Sequence, residues 1–481
     1  NNSRTRSPCY TWMSTSAAVV KAGLCSPVKE LEQKPVITEI DVRKAYAPWI
    51  RIGEYKPGLL SHLSTMELAR TLFVLRLCSL DSLVEKSPQL FEFAAKFGPL
   101  AKWPLRKTFF DQFVGGEDIT RMTTVVQSLQ KRGLRLMVAP VLEEDVNDQA
   151  SSKNTYDNNL HSLTDLAHMC NSLEKKKALL QLKVSAIIPP KALEQAAKII
   201  TARSSDSQSL AKLVEELANT IENPSALTFD MDKQNKIFLI DGLKRADTLV
   251  NLARQLSILM VVDAEFFSCQ PAIAAIALAL MTRYNQHDYL VGNTIQGYLK
   301  SAVTTTESEL EVTKLIGVNW YGKIVRGAYM DRERKIASSQ SIPSPICDSY
   351  DESSISYNRC VQLVLEHIAL TKNKTKSHLL VASHNETSIR LAAQGMKDLQ
   401  IQNDEDRVSF AQIYGMAEYL STPLVEKGYT VYKSTPYGPM EKVMPYLSRR
   451  AFENRSVILG AREEKNMLRK ELQSRVGLSR T

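Results

Sequence analysis

What this chain of 481 residues lacks narrows what it can be. It has seven cysteines, Cys9, Cys25, Cys78, Cys170, Cys269, Cys347 and Cys360, scattered and with no C-x-x-C. That odd, dispersed set excludes a disulfide framework and a structural zinc site, and favours a reducing compartment. There is no G-x-G-x-x-G, which argues against a Rossmann dinucleotide site. There is no H-E-x-x-H and no carboxylate cluster with metal spacing, so no metal is expected. No G-x-S-x-G elbow is present. The stretch Gly317 to Lys323 nearly matches a P-loop, but Ile324 stands where Ser or Thr is required. A strand pattern follows it rather than a helix, so the match is rejected. The longest apolar run, Pro271 to Met281, is too short to span a bilayer, and any membrane association would be peripheral. No basic block is interleaved with aromatics, so the formal charge of +9 does not point to nucleic acid.

What is present is an ordinary globular balance, 44% hydrophobic and 23% charged, sufficient for a large core. Residues 1–29 carry Arg4, Arg6, Lys21 and Lys29 and several Ser and Thr, with no acid before Glu30. That composition resembles a mitochondrial transit segment and equally suits a disordered tail. Residues 30–130 read as a helical region, with helical spacing of apolar residues at Val42–Trp49, Ser64–Leu77 and Leu90–Phe97. From about residue 134 short apolar runs alternate with amphipathic segments. Strands are expected at Leu134–Ala139, Leu180–Ala186, Ile258–Asp263, Gly292–Gln296, Lys323–Gly327, His378–Ser383, Arg407–Ile413 and Thr430–Lys433. Helices are expected between them, for example at Leu193–Thr201, Leu210–Ile221, Ala272–Tyr284 and Tyr357–Leu370. Polar stretches at Glu143–Asn158 and Ser338–Ser354 read as loops or insertions. Eight strands in βα alternation match an α/β fold, a (β/α)8 TIM-type barrel over residues 131–460, followed by a helical tail at 461–481.

In such a barrel the chemistry gathers at the C-terminal ends of the strands. Lys183, Asp263, Gln296, Lys323, Arg326, His384 and Asn385 all fall there, and buried polar groups are costly unless paired or facing a ligand. Lys183 on a barrel strand is open to two uses, a Schiff base in a lyase or a charge pair with an acid or a bound carboxylate. Spacing does not decide between them. Near the C-terminus, Tyr446, Arg449 and Arg450 lie at i, i+3 and i+4, on one face of a helix. Two guanidinium forks beside an aromatic ring suit a small, partly apolar ligand carrying a carboxylate. A non-enzymatic scaffold using its basic charge remains a third class of reading.

Several motifs, in order along the chain, carry a family resemblance. They are Leu180-Gln-Leu-Lys183-Val-Ser-Ala, Val262-Asp263-Ala-Glu, Ile324-Val-Arg-Gly-Ala-Tyr329, Ala382-Ser-His-Asn-Glu386 and Tyr446-Leu-Ser-Arg-Arg-Ala-Phe-Glu-Asn454. Together they resemble the FAD-dependent proline dehydrogenases over most of the chain. The resemblance implies a distorted barrel holding FAD, a mitochondrial location peripheral to the inner membrane on its matrix side, and electron delivery to ubiquinone. It implies that Lys183, Arg449 and Arg450 bind the substrate carboxylate, with Asp263 in the polar network around them. It places Tyr329, Ile413 and Tyr446 around the substrate ring. Gln296, Lys323, Val325 and Gly327 would lie along the isoalloxazine, and Ala382, His384, Asn385 and Glu453 would hold the rest of the cofactor. Bacterial members carry Arg where this chain has Lys323 and Lys where it has Arg326. The resemblance therefore leaves open which of the two reaches the flavin N5 region.

One departure is informative. Proline-specific members have Tyr where this chain has Ser434. Serine there, with the sequence after Glu453, resembles the hydroxyproline dehydrogenase branch. A small hydroxyl in place of a phenol opens room beside the ring and can hydrogen-bond a ring hydroxyl. The expected substrate is trans-4-hydroxy-L-proline, with L-proline as the alternative.

Overall fold

The computed structural model describes residues 58–142, 153–174, 177–453 and 462–477, apart from 59, 81, 84, 85, 88 and 90–98. The expected helices at Val42–Trp49 and Leu90–Phe97 and the segment 1–29 lie outside the described residues. At its centre eight parallel strands close into a barrel in sequence order. They are β1 (Arg135–Pro140), β2 (Leu179–Leu182), β3 (Leu259–Val262), β4 (Val291–Gln296), β5 (Tyr321–Val325), β6 (His378–Ala382), β7 (Val408–Ile413) and β8 (Thr430–Tyr437). Closure comes from β8 lying parallel to β1 over its whole length, from Arg135 opposite Tyr432 to Pro140 opposite Tyr437.

Helices wrap the outside. They are α1 (Thr65–Leu77), α2 (Ile119–Lys131), α3 (Lys153–Leu173), α4 (Pro190–Arg203), α5 (Ser207–Thr220), α6 (Lys233–Gln255), α7 (Gln270–Tyr284), α8 (Ala302–Ile316), α9 (Met330–Ser339), α10 (Tyr350–Thr371), α11 (Glu386–Asp398), α12 (Glu418–Glu426), α13 (Met440–Glu453) and α14 (Arg462–Arg475). Many start where a side chain satisfies the orphan N–H groups of the first turn. Ser64 and Glu67 form a reciprocal capping box on α1. Asp118, Asp206, Asp232, Ser349 and Asn385 cap α2, α5, α6, α10 and α11. The longest apolar run becomes α7, buried on nearly every side between α4, α5, α6, α8 and β4. No helix among the described residues is long and apolar enough to cross a membrane.

Strand period decides what fills the barrel. Met137, Leu179, Leu259, Val261, Tyr321, Leu380, Ala411 and Tyr432 form the interior cluster. Tyr289 stacks on His378 at 4.3 Å and meets Tyr321 edge-on at 5.3 Å. The Tyr289 hydroxyl donates to Asp406 at 2.7 Å, and Lys177 pairs with the same carboxylate at 2.8 Å. Gly292 is required here, because a Cβ would stand 2.8 Å from the Tyr321 ring. The floor is thus plugged, which leaves the opposite, C-terminal mouth as the open end.

Three expectations need correcting. β2 stops at Leu182, and Lys183 begins a 3₁₀ turn over Val184–Ala186, where the Ser185 N–H donates to Glu265 at 3.0 Å. β8 runs on to Tyr437, so Ser434 lies in the strand and not beyond it. The polar stretches are partly helical: α3 takes in Lys153–Asn158, and α9 and α10 take in both ends of Ser338–Ser354.

α14 returns to pack on α1. Arg475 of α14 donates to the carbonyls of Leu60 and Leu63 at 2.9 and 2.6 Å, and Lys465 donates to Ser79 at 2.8 Å. The apolar cluster between them, with Leu68, Leu75, Met416 and Leu468, also receives Ile413 from the end of β7. The chain's two helical flanks therefore buttress one side of the barrel mouth.

Candidate active site

A chain of polar contacts crosses the mouth. The Ser434 hydroxyl of β8 donates to Gln181 Oε1 of β2 at 2.8 Å. Gln181 Nε2 lies 3.0 Å from both carboxylate oxygens of Asp263, just past β3. Asp263 Oδ1 accepts from Lys323 Nζ of β5 at 2.5 Å. Lys323 is only 6% exposed and Asp263 17%, so this pair is largely out of water. The sequence reading missed Gln181. The signal was a polar residue inside Leu-Leu-Gln-Leu, two positions before Lys183 and therefore on the same strand face.

Lys183 Nζ lies 5.9 Å from the centroid of the Tyr446 ring, within cation–π range. The cap helix α13 carries Tyr446, whose ring packs on a cluster of Phe110, Val114, Val141, Met440, Val443 and Met444. Glu265 is fully buried. Burial pushes its carboxyl above the usual carboxylate range, opposed by the nearby Lys183 charge and by hydrogen bonds from Ser185. Gln296, the last residue of β4, donates to the Glu265 carbonyl at 3.1 Å. Tyr329 begins α9 with its ring 4.5 Å from Phe266. Ile413 ends β7 half-buried, and Arg449 lies exposed on α13. The backbones of Arg450 and Glu453 belong to α13, while their side chains lie outside the described residues.

On the β5–β6 side, Arg326 is held by hydroxyls. It donates to Ser383 at 2.9 Å, Ser388 at 3.0 Å and Ser354 at 3.4 Å, and its guanidinium lies 4.7 Å from the Tyr357 ring. Its Nε is buried without a hydrogen-bond partner among the described residues. The next residue, Gly327, has φ 138°, and a Cβ there would fall 2.3 Å from Tyr298. That close approach admits no side chain. Val325 ends β5, and its carbonyl accepts from the Gly297 N–H at 2.7 Å. Ala382 ends β6, its carbonyl accepting from the Tyr357 hydroxyl at 3.2 Å. Asn385 caps α11 and donates to Tyr350 at 3.0 Å.

His384 accepts from the Ile413 N–H at 2.9 Å through Nε2. Burial, reinforced by the Lys433 charge, pushes its pKa down to about 3. The imidazole is therefore neutral at physiological pH, with its remaining proton on Nδ1. Ser383, Ser388 and Tyr357, all contacts of Arg326, were also missed from sequence. Ser383 stood inside a motif already singled out.

A closed parallel barrel with its polar residues collected at the C-terminal mouth defines a TIM-type enzyme. The model for the family "Proline dehydrogenase" matches residues 122–459. Hydroxyproline dehydrogenase of Bos taurus is 35% identical over 441 residues, covering 88% of this chain and 94% of the relative. The Xenopus laevis protein of the same name is 31% identical over 421 residues, 87% and 89% of the two chains. Proline dehydrogenase 1, mitochondrial, of Drosophila melanogaster is 39% identical over 273 residues, 54% of this chain and 40% of the relative. Among solved structures, proline utilization A from Bdellovibrio bacteriovorus superposes with a TM-score of 0.59 at 18% identity. That likeness covers 97% of this chain, which spans about 44% of the bacterial one, and it supports the fold. The chain belongs to the proline dehydrogenase family. It is a dehydrogenase, which sets aside both the Schiff-base lyase and the scaffold.

Proposed function

We propose that this protein oxidises trans-4-hydroxy-L-proline to the corresponding hydroxy-pyrroline-carboxylate, with FAD as its cofactor and ubiquinone as the electron acceptor. The observation that carries the substrate is Ser434. Its small side chain lies on the inner face of β8 at the mouth, where proline-specific members have a phenol. The names of the full-length relatives agree with that reading.

The residues present fit FAD. A diphosphate needs donors and positive charge, and Arg326 offers a half-buried guanidinium whose partners are neutral serines and whose Nε is unspent. The N-terminus of α11 lies beside it and adds the positive end of a helix dipole. Gly327 keeps the backbone bare. Arg326, His384, Asn385, Ala382 and Glu453 would hold the cofactor's polar parts, and Gln296, Lys323, Val325 and Gly327 its ring system. FAD, when bound, supplies the hydride acceptor.

The protein's own part is binding and orientation. Arg449 and Arg450, with Lys183, take the substrate carboxylate. Tyr329, Ile413 and Tyr446 wall its ring. Asp263 fixes Lys323 through their ion pair, so its ammonium does not swing into the substrate space. The substrate nitrogen must shed its ammonium proton before oxidation, so turnover rises toward alkaline pH. The mitochondrial placement rests on the basic, acid-free segment 1–29 and on the mitochondrial relative, and the position peripheral to the inner membrane rests on the family resemblance alone.

The test is anaerobic bleaching of the protein's flavin absorbance by trans-4-hydroxy-L-proline and by L-proline, side by side. Faster bleaching by hydroxyproline is expected. Far more efficient reduction by L-proline would reassign the substrate and leave fold and family standing.

A further inference from the structure

Gln181 is unassigned in the reaction described above, yet it stands between the specificity residue and the buried ion pair. We infer that Gln181 is a positioning residue that fixes the direction of the Ser434 hydroxyl, so that Ser434 meets the ligand only as a hydrogen-bond acceptor. This rests on the hydroxyproline reading and deepens it, because it states which ring substituents the site takes.

The direction follows from the two ends of the polar chain. Lys323 has only donors, and the Asp263 carboxylate it pairs with has only acceptors. Both Asp263 oxygens stand 3.0 Å from Gln181 Nε2, so the amide nitrogen must face Asp263. The amide oxygen must then face the other way, where Ser434 Oγ lies at 2.8 Å. An amide oxygen cannot donate, so the single proton of Ser434 is committed to Gln181. Only the lone pairs of Ser434 remain for the mouth of the barrel, toward which this half-buried residue opens.

An alanine-like space would accept any ring substituent of the right size. This arrangement is stricter. A ring hydroxyl can donate to Ser434. A ring fluorine or ketone has only acceptors and would oppose the Ser434 lone pairs. The site therefore selects substituents that carry a proton, and the selection is imposed through Gln181.

The test compares kcat/KM for trans-4-hydroxy-L-proline and trans-4-fluoro-L-proline in the wild type, Gln181→Met and Ser434→Ala. Taking the ratio between enzymes cancels the intrinsic reactivity of each substrate. The wild-type preference for hydroxyl over fluoro should fall about tenfold in Gln181→Met, the worth of one hydrogen bond. It should fall likewise in Ser434→Ala, and the double variant should lose no more than either alone. If hydroxyproline is used but Gln181→Met keeps the full hydroxyl-over-fluoro preference, the inference is overturned. Should Gln181→Met fail to fold, retention of the preference in Ser434→Ala overturns it equally. If the wild type favours L-proline over hydroxyproline, the underlying substrate reading is what has failed.

Discussion

Lys323 in the middle of β5 and Asp263 just past β3 tie the two strands together across the barrel mouth, Nζ to Oδ1 at 2.5 Å. β4 lies between the two strands, so the contact spans the interior rather than following the sheet. Each charge stabilises the other where neither is well hydrated. Removing one partner strands its mate. Lys323→Met and Asp263→Asn should each destabilise the protein by on the order of 3–5 kcal/mol, and the double variant by much less than the sum. Urea denaturation of the four proteins checks this; additive losses would mean that the pair does not act as a unit.

Lys323 and Asp263 were legible as polar residues in or just after apolar strands that stand two apart in the barrel, because period and rim position suffice to find such residues. Which atoms meet was not legible, since it depends on barrel closure. Gln181 shows the limit well. Its strand reads as apolar, and its partner Ser434 comes from a distant part of the sequence. The sequence reading ended β8 at Lys433, just before Ser434-Thr-Pro436. In the fold, Pro436 lacks an N–H to give, but its carbonyl accepts from Gly115 at 2.9 Å, and the strand continues. The polarity of residues 153–158 misled in another way. α3 is a half-exposed helix, and only its Tyr156, Leu163, Leu166, Ala167, Met169 and Cys170 side is buried.

Glu309 on α8 offers a pH-dependent test away from the site. Its carboxylate accepts from Asn293 at 2.7 Å and from Trp320 at 3.3 Å. Burial nevertheless pushes its pKa up to about 7. Between the ordinary glutamate value of 4.5 and about 7 the folded state holds a proton that the unfolded state has released. Its contribution to stability is therefore full below pH 4.5 and is lost as pH rises through 7. Glu309→Gln sacrifices one hydrogen bond, because its amide nitrogen must face a donor. The variant should be less stable than the wild type at pH 4, and the gap should close with rising pH, by at most about 1.4 kcal/mol per unit. A gap that stays constant from pH 4 to 8 would contradict the assignment.

Arg326 should govern flavin retention. Arg326→Ala removes the guanidinium while leaving three serine hydroxyls behind. The flavin-to-protein absorbance ratio of purified protein should drop, with FAD affinity weakened at least tenfold, consistent with about 1.5–3 kcal/mol for a charged hydrogen bond. Arg326→Lys should restore the charge but not the fork, and so recover only part of the loss. Undiminished flavin content in Arg326→Ala would remove this residue from the cofactor site.

Arg450 should govern substrate binding rather than cofactor binding. Arg450→Ala should leave flavin content near normal and weaken hydroxyproline binding by on the order of 2–5 kcal/mol, the range for losing one partner of a buried charge pair. A flavin-bleaching titration reads that affinity directly. An unchanged affinity would sink the carboxylate assignment.

Gly327 separates backbone from side-chain demands at the same strand end. Its φ of 138° lies where L side chains are strained, and the Tyr298 ring stands 2.3 Å from the place of a Cβ. Gly327→Ala therefore faces two penalties, one of conformation and one of overlap. Tyr298→Leu relieves only the second. The double variant should recover part of the stability that Gly327→Ala loses, beyond what adding the two single effects predicts, and still fall short of Tyr298→Leu alone. Thermal unfolding of the three variants reads the coupling between the sites. If the two changes simply add, the ring does not oppose a side chain at 327, and the glycine is required by its dihedral angle alone.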